Sequence, residues 1–171
     1  FIFQCGYHRP ARHNVKKILE IGPGYGRQIN IWGKEKNIVF CALEAIESQY
    51  LSQNLYYSLL EDINFFEYFN NPESFEIKNN PGLYHLPTWR LDLLPDFFFD
   101  LVIAVQVLPE LEENLVLKLL KTLQRTVKPG GALYIRDHDL AWMPGHKFDL
   151  EKILPDFGFQ LEFRPVIIDK I

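Results

Sequence analysis

The sequence predicts an α/β fold: one doubly wound, mostly parallel sheet with helices on both faces. Three observations carry that expectation. Short apolar runs alternate along the chain with segments of helical periodicity, the signature of βαβ units. The runs are apolar throughout rather than alternating, as strands covered on both faces must be. The first of them stops at alternating glycines, Gly22, Gly24 and Gly26, where a strand would hand over to a helix. With 171 residues, 47% of them hydrophobic and 23% charged, the chain is long enough for one core and too apolar to be disordered. No repeat, low-complexity tract or linker divides it, so a single domain over 1–171 is expected.

Lys17-Ile18-Leu19-Glu20-Ile21 reads as the first buried strand, and Arg27 to Trp32 as the opening of a helix. Asn37 to Leu43 is a second buried strand ending at Glu44. Ser48 is placed to cap a helix through Tyr50, Leu51, Leu55, Leu59 and Leu60, continuing to Phe69 and stopped by Asn70-Asn71-Pro72. Residues 71–82 read as a loop, extended around Phe75 to Ile77, and Leu83 to Trp89 as a third strand. Asp92 to Asp96 is a turn before the most apolar strand, Phe98 to Val105. Pro109 suits a helix start, with Glu110, Glu112 and Glu113 favourable in its first turn. Leu115, Leu119, Leu120, Leu123 and Val127 keep helical spacing until Lys128-Pro129-Gly130-Gly131. A fifth strand over Ala132 to Arg136, a short helix over Phe148 to Phe157 and an extended tail over Phe159 to Ile168 complete the reading.

Composition excludes several classes. The net charge of −4 is the wrong sign for a protein that lives on nucleic-acid phosphates. The longest apolar stretch, Phe97 to Leu108, is broken by Asp100 and Gln106 and is shorter than the ~20 residues of a membrane span. Cys5 and Cys41 form no C-x-x-C, so neither a disulfide framework nor a zinc site is indicated. With no signal-peptide pattern at the start, a cytoplasmic location is expected. Phe1 in place of methionine, and a tail that supplies one strand, read as a trimmed catalytic core.

Ligands of such sheets bind beyond the carboxyl ends of the strands. The residues there are Glu20 to Gly26, Glu44, Asp92, Gln106 to Glu110 and Asp137 to Asp139. The glycines allow a sharp turn and a close ligand approach, and the helix start offers free amide hydrogens. The dinucleotide fingerprint G-x-G-x-x-G fails, because Arg27 stands where its third glycine belongs. That speaks against a nicotinamide-dependent oxidoreductase, one rival reading. Glu44, ending the second strand, is placed to accept both hydroxyls of a ribose. Asp92, before an apolar pair, is placed to accept an exocyclic adenine amine, although a turn-forming aspartate is common there.

These ordered elements resemble the class I S-adenosylmethionine-dependent methyltransferases. Ile18 to Gly26 is similar to the family's E-x-G-x-G-x-G motif, Phe99-Asp100-Leu101-Val102-Ile103-Ala104 to its fourth strand, and Leu120 to Tyr134 to its helix and turn before the fifth strand. The resemblance implies a Rossmann-like methyltransferase fold and S-adenosylmethionine as cofactor. It implies that Gly22 and Gly24 flank the methionine and ribose moieties, that Gly26 also belongs to the cofactor-binding residues, and that Glu20 orders the loop near the cofactor's amino group. It further implies Glu44 on the ribose, Asp92 on the adenine amine, the Leu93 amide near a ring nitrogen, and Gln106 near the sulfonium. Residues 44–55, with Tyr50-Leu51-Ser52-Gln53-Asn54, also resemble bacterial sugar O-methyltransferases. That implies a small-molecule or glycan acceptor, with no nucleic acid and no membrane span among the partners.

An alcohol acceptor must lose a proton, so a general base is expected. His138, flanked by Asp137 and Asp139, is the first candidate, with Asp139 orienting the ring. The same three residues suit a magnesium ion, but the fourth strand ends in Gln106 rather than an acid, so no metal is expected. A methyltransferase-like scaffold without catalysis is the other rival. Tyr56, Tyr57, Phe65, Phe66, Tyr68 and Phe69 crowd one region as core packing, a sugar platform or a homo-oligomer interface. His8, His13, His85 and His146 read as surface or capping residues.

Overall fold

The computed structural model describes residues 2–4, 15–33, 37–136 and 149–163. Its elements in chain order are β1 (Ile2–Gln4), β2 (Lys17–Ile21), α1 (Ile29–Trp32), β3 (Val39–Glu44), α2 (Glu47–Ser58), β4 (Phe65–Glu67), β5 (Gly82–Pro87), β6 (Phe99–Val105), α3 (Glu113–Thr126), β7 (Val127–Arg136), α4 (Leu150–Ile153) and β8 (Gln160–Phe163). The strands form one sheet in the order β4-β5-β3-β2-β6-β7-β1-β8. The first six in that order are parallel to one another; β1 runs antiparallel to both β7 and β8. The chain leaves β2 for β3 on one side and returns to β6 on the other, so the sheet reverses its winding between β2 and β6, where open α/β sheets bind ligands.

Both faces are covered. Leu19, Ile21, Leu43 and Val102 pack beneath α3, whose Val116, Leu119, Leu120 and Leu123 form its buried stripe. Ile18, Phe40, Ala42 and Ile103 pack on the other face against Ile29 of α1 and Tyr57 of α2. Period-two alternation along β2 therefore sends Ile18 and Glu20 to the α2 side and Leu19 and Ile21 to the α3 side. One register row crosses the α2 side: Glu67, His85, Ala42, Glu20, Ile103 and Tyr134 on successive strands.

The doubly wound expectation holds, with local differences. The helix does not reach Phe69: α2 ends at Ser58, and Phe65–Glu67 becomes the edge strand β4. Ser48 is not the cap of α2, whose N-cap is Ile46; the free amides of Ala45 and Ile46 donate instead to the Glu44 carboxylate (2.8 and 2.9 Å). Pro109 lies in a 3₁₀ turn, Leu108–Glu110, and α3 starts at Glu113. Lys128 to Gly131 does not separate helix from strand: β7 begins at Val127 and absorbs these residues in a bulge opposite Phe99–Leu101. Of the expected 159–168 tail, β8 covers Gln160–Phe163; the rest lies outside the described residues. Among the described residues no helix is long and apolar enough to cross a membrane.

Candidate functional site

The loop after β2 is bent by three left-handed glycines, Gly22 (φ +62°), Gly24 (φ +57°) and Gly26 (φ +71°). Each serves a different end. A Cβ on Gly22 would lie 2.8 Å from Val107 Cγ2, so this glycine lets the loop after β6 close in. A Cβ on Gly26 would lie 2.6 Å from the Tyr57 hydroxyl, so it seats the loop on α2. At Gly24 a Cβ would meet nothing within 4 Å. There the backbone faces open space, and a ligand can approach it directly.

That open side belongs to a cleft of about 400 Å³ whose walls include Glu20, Gly22, Gly24, Arg27, Gln28 and Val105. The volume lies in the range of small-molecule and cofactor sites. Glu20 is 5% exposed, and its Oε2 has no hydrogen-bond partner. Burial, reinforced by the Glu44 charge, pushes its carboxyl up to about 8. A buried carboxyl without a partner is costly as an anion, and a cationic group entering the cleft would relieve that cost.

Glu44 is 3% exposed and stands behind the cleft rather than in its lining. Its Oε1 accepts from Ala45 and Ile46, and its Oε2 accepts from Gln53 Nε2 at 2.8 Å. A carboxylate offers about four acceptor positions. Three are filled, which leaves one. Gln53 also donates to the Gly24 carbonyl (2.7 Å) and accepts at 2.9 Å from His85 Nε2.

His85 corrects the surface expectation. It is fully buried, stacked on Tyr50 at 4.0 Å with Nδ1 2.5 Å from the Asn54 side-chain amide, and burial pushes it down to about 3. Tyr50 donates to Glu67 Oε1 (2.7 Å), whose carboxylate caps the 3₁₀ turn Tyr68–Asn70. The Tyr57 hydroxyl, beside Gly26, is buried without a partner, and desolvation together with Glu20 and Glu44 raises its pKa.

Sequence reasoning missed Gln53, Tyr57 and His85. The signal was a helix whose buried face, Tyr50, Gln53 and Tyr57, carries polar groups at i, i+3 and i+7.

Asp92 stands apart. It is exposed in the 3₁₀ segment Thr88–Leu93 and holds the Arg90 guanidinium through both oxygens (3.0 and 2.9 Å), which lowers its pKa. The neighbouring Leu93 is half-buried and packs against the α3-side core. Neither is among the cleft residues. Gln106 follows β6 in a left-handed conformation (φ +58°), and its amide donates to Arg136 O at 2.9 Å. A non-glycine residue there is strained, and such strain gathers near functional sites. His138, Asp139 and Asp137 lie outside the described residues. Among the described residues no group of three His, Cys, Asp or Glu side chains is placed to hold a metal.

No protein-family model matches the chain, and no curated protein matches it. Solved structures do. An arsenic(III) S-adenosylmethionine methyltransferase from Chlamydomonas reinhardtii superposes with a TM-score of 0.52 at 16% identity, covering 71% of this chain and 38% of that one. PKMT2 from Rickettsia typhi, crystallised with AdoHcy, gives 0.52 at 18% identity, covering 71% of this chain and 20% of that one. The likeness is one of fold: this chain has the Rossmann-like α/β fold of class I methyltransferases. It spans well under half the length of these neighbours.

Proposed function

We propose that this chain is the S-adenosylmethionine-binding core of a methyltransferase acting on a small hydroxylated acceptor, a sugar or glycan precursor. The observation that carries the cofactor reading is the pairing of an open, left-handed Gly24 with a buried, unpartnered Glu20 carboxyl in one cleft. The residues fit the group. Gly24 leaves room for a ligand against the backbone, Glu20 lacks the cation that would satisfy it, and Glu44 keeps one acceptor position for a ribose hydroxyl. When bound, S-adenosylmethionine supplies a methyl group already activated on a sulfonium. The neighbouring folds, one holding AdoHcy, are consistent with this ligand class.

The chain's own contribution is to bind, orient and move protons. Gly22 and Gly24 shape the loop, Glu20 releases its proton as it pairs with an incoming ammonium, and Glu44 fixes a ribose hydroxyl. His138 takes the acceptor's hydroxyl proton, with Asp139 orienting the ring. The sugar acceptor rests on the likeness of residues 44–55 to sugar O-methyltransferases, and within that segment Tyr50, Gln53 and Asn54 serve the buried network beneath α2. A methyl-transfer screen over nucleotide sugars and free glycans, read by mass, tests the acceptor. A methylated product from any of them supports this assignment; transfer confined to amines or thiols removes it.

A further inference from the structure

Gln53 is 1% exposed, and the two partners of its amide nitrogen, both assigned to the cofactor above, follow or end different strands. Nε2 donates at 2.7 Å to the carbonyl of Gly24, after β2, and at 2.8 Å to Oε2 of Glu44, at the end of β3. Two acceptors on one side fix which end of the amide is nitrogen, so Oε1 faces His85. His85 Nε2 must then carry its proton to donate to Oε1 at 2.9 Å. The ring is fully buried and stacked on Tyr50 at 4.0 Å, so it has no room to turn away. Nδ1 lies 2.5 Å from Asn54 Oδ1; a neutral ring leaves Nδ1 as an acceptor, which requires the Asn54 amide turned so that its NH₂ faces the ring.

We propose that Gln53 is a positioning residue: its amide, oriented by His85, clamps the Glu44 carboxylate to the glycine loop and so presets the spacing between the ribose-binding acid and the open Gly24 backbone. The proposal rests on the cofactor reading above. Among the described residues, the other hydrogen bond that ties the loop to β3 is the Gly22 amide on Leu43 O (2.9 Å). Without the clamp Glu44 keeps its two backbone donors and loses the contact that aims its second oxygen. A ligand that spans both groups feels their separation, and small displacements of positioned groups are costly.

The test is a double-mutant cycle on S-adenosylhomocysteine affinity, measured by calorimetry, with Gln53→Met and Glu44→Ala singly and together. Methionine keeps the volume of glutamine and removes the hydrogen bonds. The expected result is a tenfold or greater loss for Gln53→Met, vanishing when Glu44 is already alanine. Equal binding by wild type and Gln53→Met overturns the positioning role, and so does a loss that multiplies unchanged on the Glu44→Ala background. Should Gln53→Met not fold, Gln53→Glu keeps the reach but sets a second carboxyl against Glu44. It is expected to bind at least tenfold more weakly, and wild-type affinity there overturns the role. A wild-type protein that binds no S-adenosylhomocysteine overturns the cofactor reading and this role together, an outcome distinct from an indifferent Gln53 variant.

Discussion

Glu20 and His85 stand in one row of the sheet, on strands separated only by Ala42 of β3, and burial holds both uncharged near neutral pH. The acid is pushed up to about 8 and the base down to about 3, so the α2 side of the sheet buries two titratable groups without burying two charges.

This pairing gives stability two opposing pH slopes. Glu20 has a folded pKa above its ordinary 4.5, so its contribution is complete below 4.5 and is lost as pH rises towards 8. His85 has a folded pKa below its ordinary 6.5, so its contribution is complete above 6.5 and is lost as pH falls towards 3. Each slope is about 1.4 kcal/mol per pH unit, and between 4.5 and 6.5 they cancel. In denaturant titrations Glu20→Gln is expected to match wild type below pH 4.5 and to exceed it above pH 8 by up to roughly 3–5 kcal/mol. A constant offset across that range would remove Glu20 as the titrating group.

The three glycines should separate under substitution. Gly26→Ala drives a methyl group into Tyr57 and is expected to cost about 2–4 kcal/mol of stability. Gly24→Ala meets open space and costs only the left-handed backbone, about 1–2 kcal/mol. It should nonetheless weaken nucleoside ligands tenfold or more, because its methyl occupies the approach to the loop. Thermal melts and calorimetry on both variants check the contrast; a Gly24→Ala variant with full affinity would move the ligand elsewhere.

Asp92→Asn distinguishes what the sequence suggests from what the structure places. The carboxylate is exposed and engaged by Arg90, outside the cleft. Affinity for S-adenosylhomocysteine is expected to stay within about twofold, since surface ion pairs contribute little. A tenfold loss would put Asp92 back on the adenine.

His138→Ala is expected to lower turnover by roughly 10²–10⁴-fold while leaving cofactor affinity nearly unchanged. Full activity would remove His138 as the base.

Much of the scaffold was legible because a strand buried on both faces announces itself locally. Lys17–Ile21, Val39–Glu44 and Phe99–Val105 are apolar runs bounded by glycine or charge, and they fall where the pattern puts them. Phe65–Glu67 was not legible: three residues at a sheet edge follow a helix without a breaker, and only pairing with β5 makes them a strand. The same holds for the site. Glu20 and the glycines are adjacent in sequence, so their meeting is local. Gln53 and His85 meet only once register aligns β5 with β3 beneath α2, and no spacing along the chain encodes that. Asp92 illustrates what residue type leaves open, because its distance from the strand end also decides which groups it meets. β5 ends at Pro87, and the 3₁₀ segment that follows leaves Asp92 exposed and paired with Arg90.

Ligand binding by the unmodified chain decides whether the cleft is a cofactor site. Calorimetric titration with S-adenosylhomocysteine, beside a matched titration with NAD, measures it most directly. One-site, saturable binding of S-adenosylhomocysteine with none of NAD is the predicted result. No binding of S-adenosylhomocysteine at millimolar concentration, or binding of NAD in its place, would contradict it.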